Sequence, residues 1–180
     1  MKVTPLALKG LLLIEPVIFT DERGYFFESF NEDRFRKAGI DASFVQDNHS
    51  LSSKGVLRGL HFQKPPFEQG KLVRVAHGSV LDVVVDIRKQ SPDFGKCLSM
   101  ILSSQNNQML WIPPGFAHGF LALENDTVFL YKCTNPYHKE SESGIIWNDT
   151  DLNIDWGLSN PIISSKDLEL PAFKDLVSVF

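Results

Sequence analysis

The chain has 180 residues, 43% of them hydrophobic and 22% charged, a size and balance that fit one folded domain and argue against disorder. Its 18 basic and 22 acidic residues give a formal charge of −4. That balance counts against a nucleic-acid binder driven by phosphate neutralisation, although a local basic pocket remains compatible with it. Phe is over-used, with 14 copies against three Trp and three Tyr, and Pro and Gly supply 10 and 12 turn-forming positions. This bias leans towards β structure.

After Met1 to Gly10, the apolar stretch Leu11 to Ile14 is too short for a signal-peptide core and runs into Glu15-Pro16. No apolar run approaches the roughly 18 residues of a membrane span. Short apolar runs separated by turn residues then follow one another. They predict strands at Leu11–Phe19, Tyr25–Phe30, Ser43–Gln46, Val56–His61, Lys71–Ala76, Val80–Ile87, Cys97–Leu102, Gln108–Ile112, His118–Leu123 and Val128–Cys133. One early helix is expected, capped by Asn31, acidic at Glu32 and Asp33, and closed by Gly39. A short turn beginning at Lys166 has Ser164 or Ser165 as its cap. The expected fold is mainly β, a sandwich or barrel with little helix, in a single domain spanning 1–180. Cys97 and Cys133 lack CxxC spacing and read as buried free thiols of a cytoplasmic protein.

Phosphate-loop, Rossmann, nucleophile-elbow and zincin motifs are all missing, so function must come from polar residues scattered over strands. Four stretches carry such residues. Arg58 and His61 sit among aliphatic residues, where a solvated strand face is the plain alternative. Lys71 shares a face with Val73 and Val75 while Arg74 points away, and an edge lysine is its alternative. Pro113-Pro114-Gly115 feeds His118 onto the face of Phe120, where a satisfied core histidine is the alternative. Tyr131 shares its face with Phe129 and Cys133, which a core tyrosine with a bonded hydroxyl also satisfies. Together the four favour a pocket inside a small barrel.

The frame of His61 with the later Pro-Pro-Gly turn and His118 is similar to metal-binding cupins. In those proteins a second histidine stands where this chain has Gln63, a poorer ligand. A site of His61, His118 and Glu68 remains the metal alternative.

A closer resemblance covers Asp21 to Asp167. It is carried by Asp21–Glu28, Gln46–Ser50, Gly55–Gln63, Gln69–Arg74, Asp82–Arg88, Trp111–Phe120, Tyr131-Lys132 and Ser164–Asp167. These blocks resemble the dTDP-4-dehydrorhamnose 3,5-epimerase family. The resemblance implies a cupin-type jelly-roll barrel with no metal or other cofactor, acting on a nucleotide sugar and usually a homodimer. The substrate it implies is dTDP-4-dehydro-6-deoxy-D-glucose, inverted at C3 and C5; a mono-epimerase on a related sugar is the nearest alternative. By resemblance His61 is the base, Asp167 its partner and Tyr131 the acid, with Lys71 and His118 beside the sugar. Arg58, Gln46, Asp47, Asn48, Glu142 and Lys166 line the nucleotide-sugar site by the same resemblance. Arg23 and Glu28 reach it from the partner's N-terminal arm, about residues 1–30. Phe62 and Trp156-Gly157 depart from the usual Tyr and Trp-Pro without touching these positions.

The chemistry suits the residues. A 4-keto group acidifies both neighbouring C–H bonds, and inversion needs a base on one face and a donor on the other. Imidazole, with a reference pKa of about 6.5, accepts protons near neutrality. A carboxylate orients it, an amine stabilises the enolate, and a phenol donates. The Phe excess is expected to wall a water-poor barrel. One geometric demand follows: Arg58 and His61 are three residues apart, so either a bulge at Gly59 turns both inward or Arg58 belongs to a subunit interface instead.

Overall fold

The structure, a computed structural model, describes residues 1–176 and 180. A six-stranded sheet has the order β1 (Lys2–Pro5), β2 (Leu12–Glu15), β10 (Met109–Ile112), β7 (Lys71–His77), β12 (Thr127–Cys133) and β5 (Gln46–Ser52). A five-stranded sheet has the order β13 (Glu142–Gly144), β6 (Leu57–Gln63), β11 (Phe116–Ala122), β8 (Ser79–Asp86) and β9 (Cys97–Ser103). A separate hairpin joins β3 (Phe19–Asp21) to β4 (Gly24–Phe26). Two short α-helices complete the elements used below, α1 (Glu32–Lys37) and α2 (Ser165–Leu168).

Strand alternation sorts the apolar residues into three layers. Inside the barrel, Val73, Val75, Val80, Val84, Leu110, Phe116, Phe120 and Phe129 form one cluster drawn from both sheets. On the outer side of the five-stranded sheet, Leu60, Phe62, Val83, Val85 and Leu121 pack under Ile145, Leu152 and Trp156. Outside the six-stranded sheet, Ile14, Leu72, Met109 and Trp111 pack against Phe35 and Ile40. The jelly-roll reading therefore holds.

Local signals hold where side chains cap or turn the chain. Asn31 caps α1 by accepting from the Arg34 N–H at 3.1 Å, and Gly39 follows the helix at φ +90. Ser164 caps α2 by accepting from the Asp167 N–H at 3.1 Å.

Three expected strands need correction. Leu11–Phe19 breaks after Glu15, because Pro16 lacks a ladder N–H, and resumes at Phe19. Of Tyr25–Phe30 only the start is strand, in a hairpin whose Phe19, Tyr25 and Phe26 are exposed. The strand expected at Ser43–Gln46 is instead Gln46–Ser52, whose inward residues Gln46, Asn48, Ser50 and Ser52 are polar and hide the apolar signal. Strands β1 and β13 lie outside every expected run. Both cysteines are free thiols, Cys133 buried but Cys97 only half-buried. Burial, followed by the nearby charge of Asp149, pushes the Cys97 thiol up to about 11.

The demanded bulge is present. Arg58 pairs with Phe120 and His61 with His118, so three steps on β6 match two on β11. Gly59 sits there at φ +124, where a Cβ would stand 2.5 Å from Gly119 Cα and 2.9 Å from the His118 carbonyl oxygen. Only glycine fits this approach of two backbones. Gly59→Ala should therefore lose about 1–3 kcal/mol of stability in urea unfolding. An unchanged midpoint would contradict this account of the bulge.

Candidate active site

The bulge brings Arg58 and His61 onto the inner face, where residues from both sheets enclose a cavity of about 520 Å³. The five-stranded sheet contributes Arg58, His61, His118 and Phe120, and the six-stranded sheet faces them with Lys71, Phe129 and Tyr131. Helix α2 adds Lys166 and Asp167 at one side. That helix is held in place because the Ile162 backbone bonds to Gly55 and Leu57, laying the segment along the start of β6.

His61 Nε2 donates to Asp167 Oδ1 at 2.7 Å. The Asp167 side chain is 6% exposed and that of His61 is 31% exposed. The other carboxylate oxygen accepts from the Gly59 N–H at 3.3 Å, so the bulge that aims His61 also anchors its partner. Burial pushes the Asp167 carboxyl up, but His61, the Gly59 N–H and Ser164 outweigh it and hold the acid below its ordinary value. Asp167 is thus a carboxylate at neutral pH, and Nδ1 of a neutral His61 is the lone-pair nitrogen.

The sign of its effect on stability follows. A carboxyl with a depressed folded value contributes stability that is fully present above about pH 4 and lost as pH falls through that value. Thermal unfolding of the parent chain should weaken more steeply on acidification below about pH 4 than that of Asp167→Asn. Parallel curves would contradict the pairing.

Lys71 donates to the His61 carbonyl oxygen at 3.4 Å. Burial lowers its amine below the ordinary value, against the opposing charges of Cys133, Asp82 and Glu142. Burial, then Cys133, pushes the Tyr131 phenol above its ordinary value although Arg58 acts the other way, so it stays protonated. His118 Nε2 donates to Asp82 Oδ2 at 2.9 Å, deep in the wall. Arg58 is held at the rim by Ser52 Oγ and the Leu51 carbonyl, both at 3.2 Å.

Other expected site residues lie around this cavity or away from it. Glu142 pairs with Lys166 and accepts from the Tyr137 hydroxyl at 2.7 Å. Gln46 accepts from the Tyr137 N–H and donates to Asn48, whose amide donates to Cys133 Sγ. Asp47 points to the opposite face of β5 and pairs there with Lys132. Arg23 pairs with Asp21 inside the exposed hairpin, and Glu28 pairs with Arg34, so neither lines this chain's own cavity.

The donor set of the metal alternative does not assemble. Glu68 is not in the cavity wall, and both histidines use Nε2 on aspartates. Gln63 donates to the carbonyls of Phe67 and Pro136 and accepts from the His138 N–H. Among the described residues no group of three His, Cys, Asp or Glu is placed to hold a metal ion.

Two contributors escaped the residue-level reading. Asp82 shares an inward face with Val80 and Val84, and a carboxylate amid valines was the signal available. Tyr137 sits in a loop, where strand parity gives no direction.

A base paired with a carboxylate, opposite an amine and a phenol inside a jelly-roll barrel, defines an enzyme that moves protons at carbon. Comparison specifies it further. The dTDP-4-dehydrorhamnose 3,5-epimerase profile matches residues 5–175, and the chain belongs to that family of isomerases. A relative of that name from Shigella flexneri is 52% identical over 176 residues, covering 97% of each chain. The solved dTDP-6-deoxy-D-glucose-3,5-epimerase of Legionella pneumophila, in complex with dTDP-4-keto-L-rhamnose, superposes with a TM-score of 0.93 at 47% identity. That match covers 97% of this chain and 94% of the other. A 3'-monoepimerase from Streptomyces bikiniensis in complex with dTDP-quinovose reaches 0.89 at 35% identity, covering 93% and 86%.

Proposed function

We propose that this chain inverts C3 and C5 of dTDP-4-dehydro-6-deoxy-D-glucose, giving dTDP-4-dehydro-L-rhamnose for dTDP-L-rhamnose synthesis. The observation that carries the reading is the paired His61–Asp167 base on one sheet facing Tyr131 and Lys71 on the other across one cavity. Nδ1 of His61 removes the proton beside the ketone, and the C–H electron pair moves into the carbonyl as an enolate. Asp167 stabilises the imidazolium that forms. Lys71 and His118 place positive charge or a donor by the enolate oxygen, where negative charge grows only along the reaction. Tyr131 then delivers its hydroxyl proton to the opposite face of the carbon. Solvent exchange restores both groups before the second carbon reacts.

At the rim, Arg58 and Lys166 supply cationic donors for the diphosphate, Arg58 with the geometry for a bidentate contact. Tyr137, 52% exposed and pinned by Gln46 and Glu142, offers an aromatic face to the base. Gln46, Asn48 and Glu142 serve the same end of the substrate, and Asp47 supports the strand from its other face.

Inversion at both carbons is favoured over mono-epimerisation because relatives named 3,5-epimerases are 52% identical, against 35% for the 3'-monoepimerase. Proton NMR of the sugar product decides between them. The reading expects inverted C3 and C5 centres; a product inverted at one carbon alone would establish the mono-epimerase.

The working unit is a homodimer in which Arg23 and Glu28 serve the partner's cavity. The exposed Phe19, Tyr25 and Phe26 of the arm support this, since they leave apolar surface to cover. Sedimentation equilibrium at micromolar concentration should give twice the chain mass, and a monomer would contradict it. A reducing cytoplasm suits the two free thiols.

A further inference from the structure

A second histidine–carboxylate pair lies beside the first. His118 and His61 are direct register partners on β11 and β6, and each gives Nε2 to an aspartate. The two aspartates differ in origin. Asp167 comes from α2 at the cavity's side, whereas Asp82 rises from the middle of β8 inside the barrel.

Asp82 is an unusual residue for its place. Its side chain is 0% exposed, and its sheet neighbours in register are Phe120 and Met100. One carboxylate oxygen takes the His118 bond, and the other has no protein partner among the described residues. A buried carboxylate satisfied on one side only is costly for folding, and a fold that needed only packing here is better served by a valine. Asp82 thus reaches the cavity through His118 while standing behind it, as it does not line the cavity itself.

We propose that Asp82 is a positioning residue for the epimerisation: by taking the His118 Nε2–H it stabilises the imidazolium and turns its Nδ1–H into the cavity, toward the enolate oxygen. The proposal rests on the reading of His61 as base and extends the machinery by one residue that never meets the sugar. Asp82 exerts its effect as negative charge develops on oxygen, so its loss falls on turnover rather than on substrate capture.

The test is Asp82→Asn, which keeps shape and removes charge, made alone and together with His118→Asn. Parent chain and His61→Asn run alongside, so that failure of the reading itself shows as an inactive parent or an active His61 variant. Asp82→Asn should lose about 10–100-fold in kcat with KM nearly unchanged and no drop in thermal midpoint, by analogy with other groups that orient a functional histidine. In the His118→Asn background the same change should cost clearly less, because its action runs through the absent imidazole. Unchanged kcat in the single variant, or an equal loss in both backgrounds, would overturn the proposal. If Asp82→Asn does not fold, long-range proton–nitrogen NMR on the parent chain decides. His118 must carry a proton on Nε2, and a bare Nε2 overturns the assignment.

Discussion

Replacing His61 with Asn should reduce turnover by about 10³–10⁴-fold, near the upper end of what a positioned general base supplies. The loss should be equal at C3 and C5, because the proposed mechanism assigns both protons to one imidazole. Folding should lose only part of the Asp167 contribution, since the Gly59 N–H and Ser164 still hold that carboxylate and the strand is fixed by β11 and β13. Stopped assays on each proton, with the thermal midpoint as a control, check this. A variant that still exchanges one carbon at near-parental rate would show a second base.

The second large effect belongs to Lys71. Lys71→Met should cost about 10²–10³-fold in kcat, the magnitude for removing one preorganised donor from a developing oxyanion. KM should move little, because the ketone in the ground state carries far less charge than the enolate. Stability should stay level or rise, since burial already opposes this amine's charge and its bond to the His61 carbonyl is a long 3.4 Å contact. Equal losses in turnover and stability would make Lys71 a structural residue instead.

Much of the site was legible because inward and outward residues alternate on regular strands. Parity placed Lys71 with Val73 and Val75, and Tyr131 with Phe129 and Cys133, and the structure puts these faces inside the barrel. It also exposed the conflict between Arg58 and His61 that the Gly59 bulge resolves. What parity cannot see is chain brought in from afar. The link from His61 to Asp167 spans 106 positions and came from resemblance, not from any local pattern. Polar strands were equally hard to read. Gln46–Ser52 lines the barrel with amides and hydroxyls, so its hydrophobic signal is weak although its pairing with β12 is regular.

The Phe excess divides by location. Phe116, Phe120 and Phe129 wall the inner core as expected, and Phe120 stacks on Phe129 with centroids 4.2 Å apart. Phe30, Phe35 and Phe44 instead seat α1 outside the six-stranded sheet, and Phe19 and Phe26 lie exposed on the arm. The composition thus serves three surfaces, of which one is the inner wall of the barrel. The mild acidity is likewise local in meaning, for Arg58, Lys71 and Lys166 gather at one cavity in a chain of charge −4.

The central claim is that one His61-based constellation removes the protons at both carbons flanking the ketone. Incubation with dTDP-4-dehydro-6-deoxy-D-glucose in D2O tests it most directly, with NMR and mass spectrometry reading deuterium at each position. The account predicts deuterium at both C3 and C5 with the parent chain and at neither with His61→Asn. Label at a single carbon in the parent, or label persisting at either carbon in the variant, would contradict it.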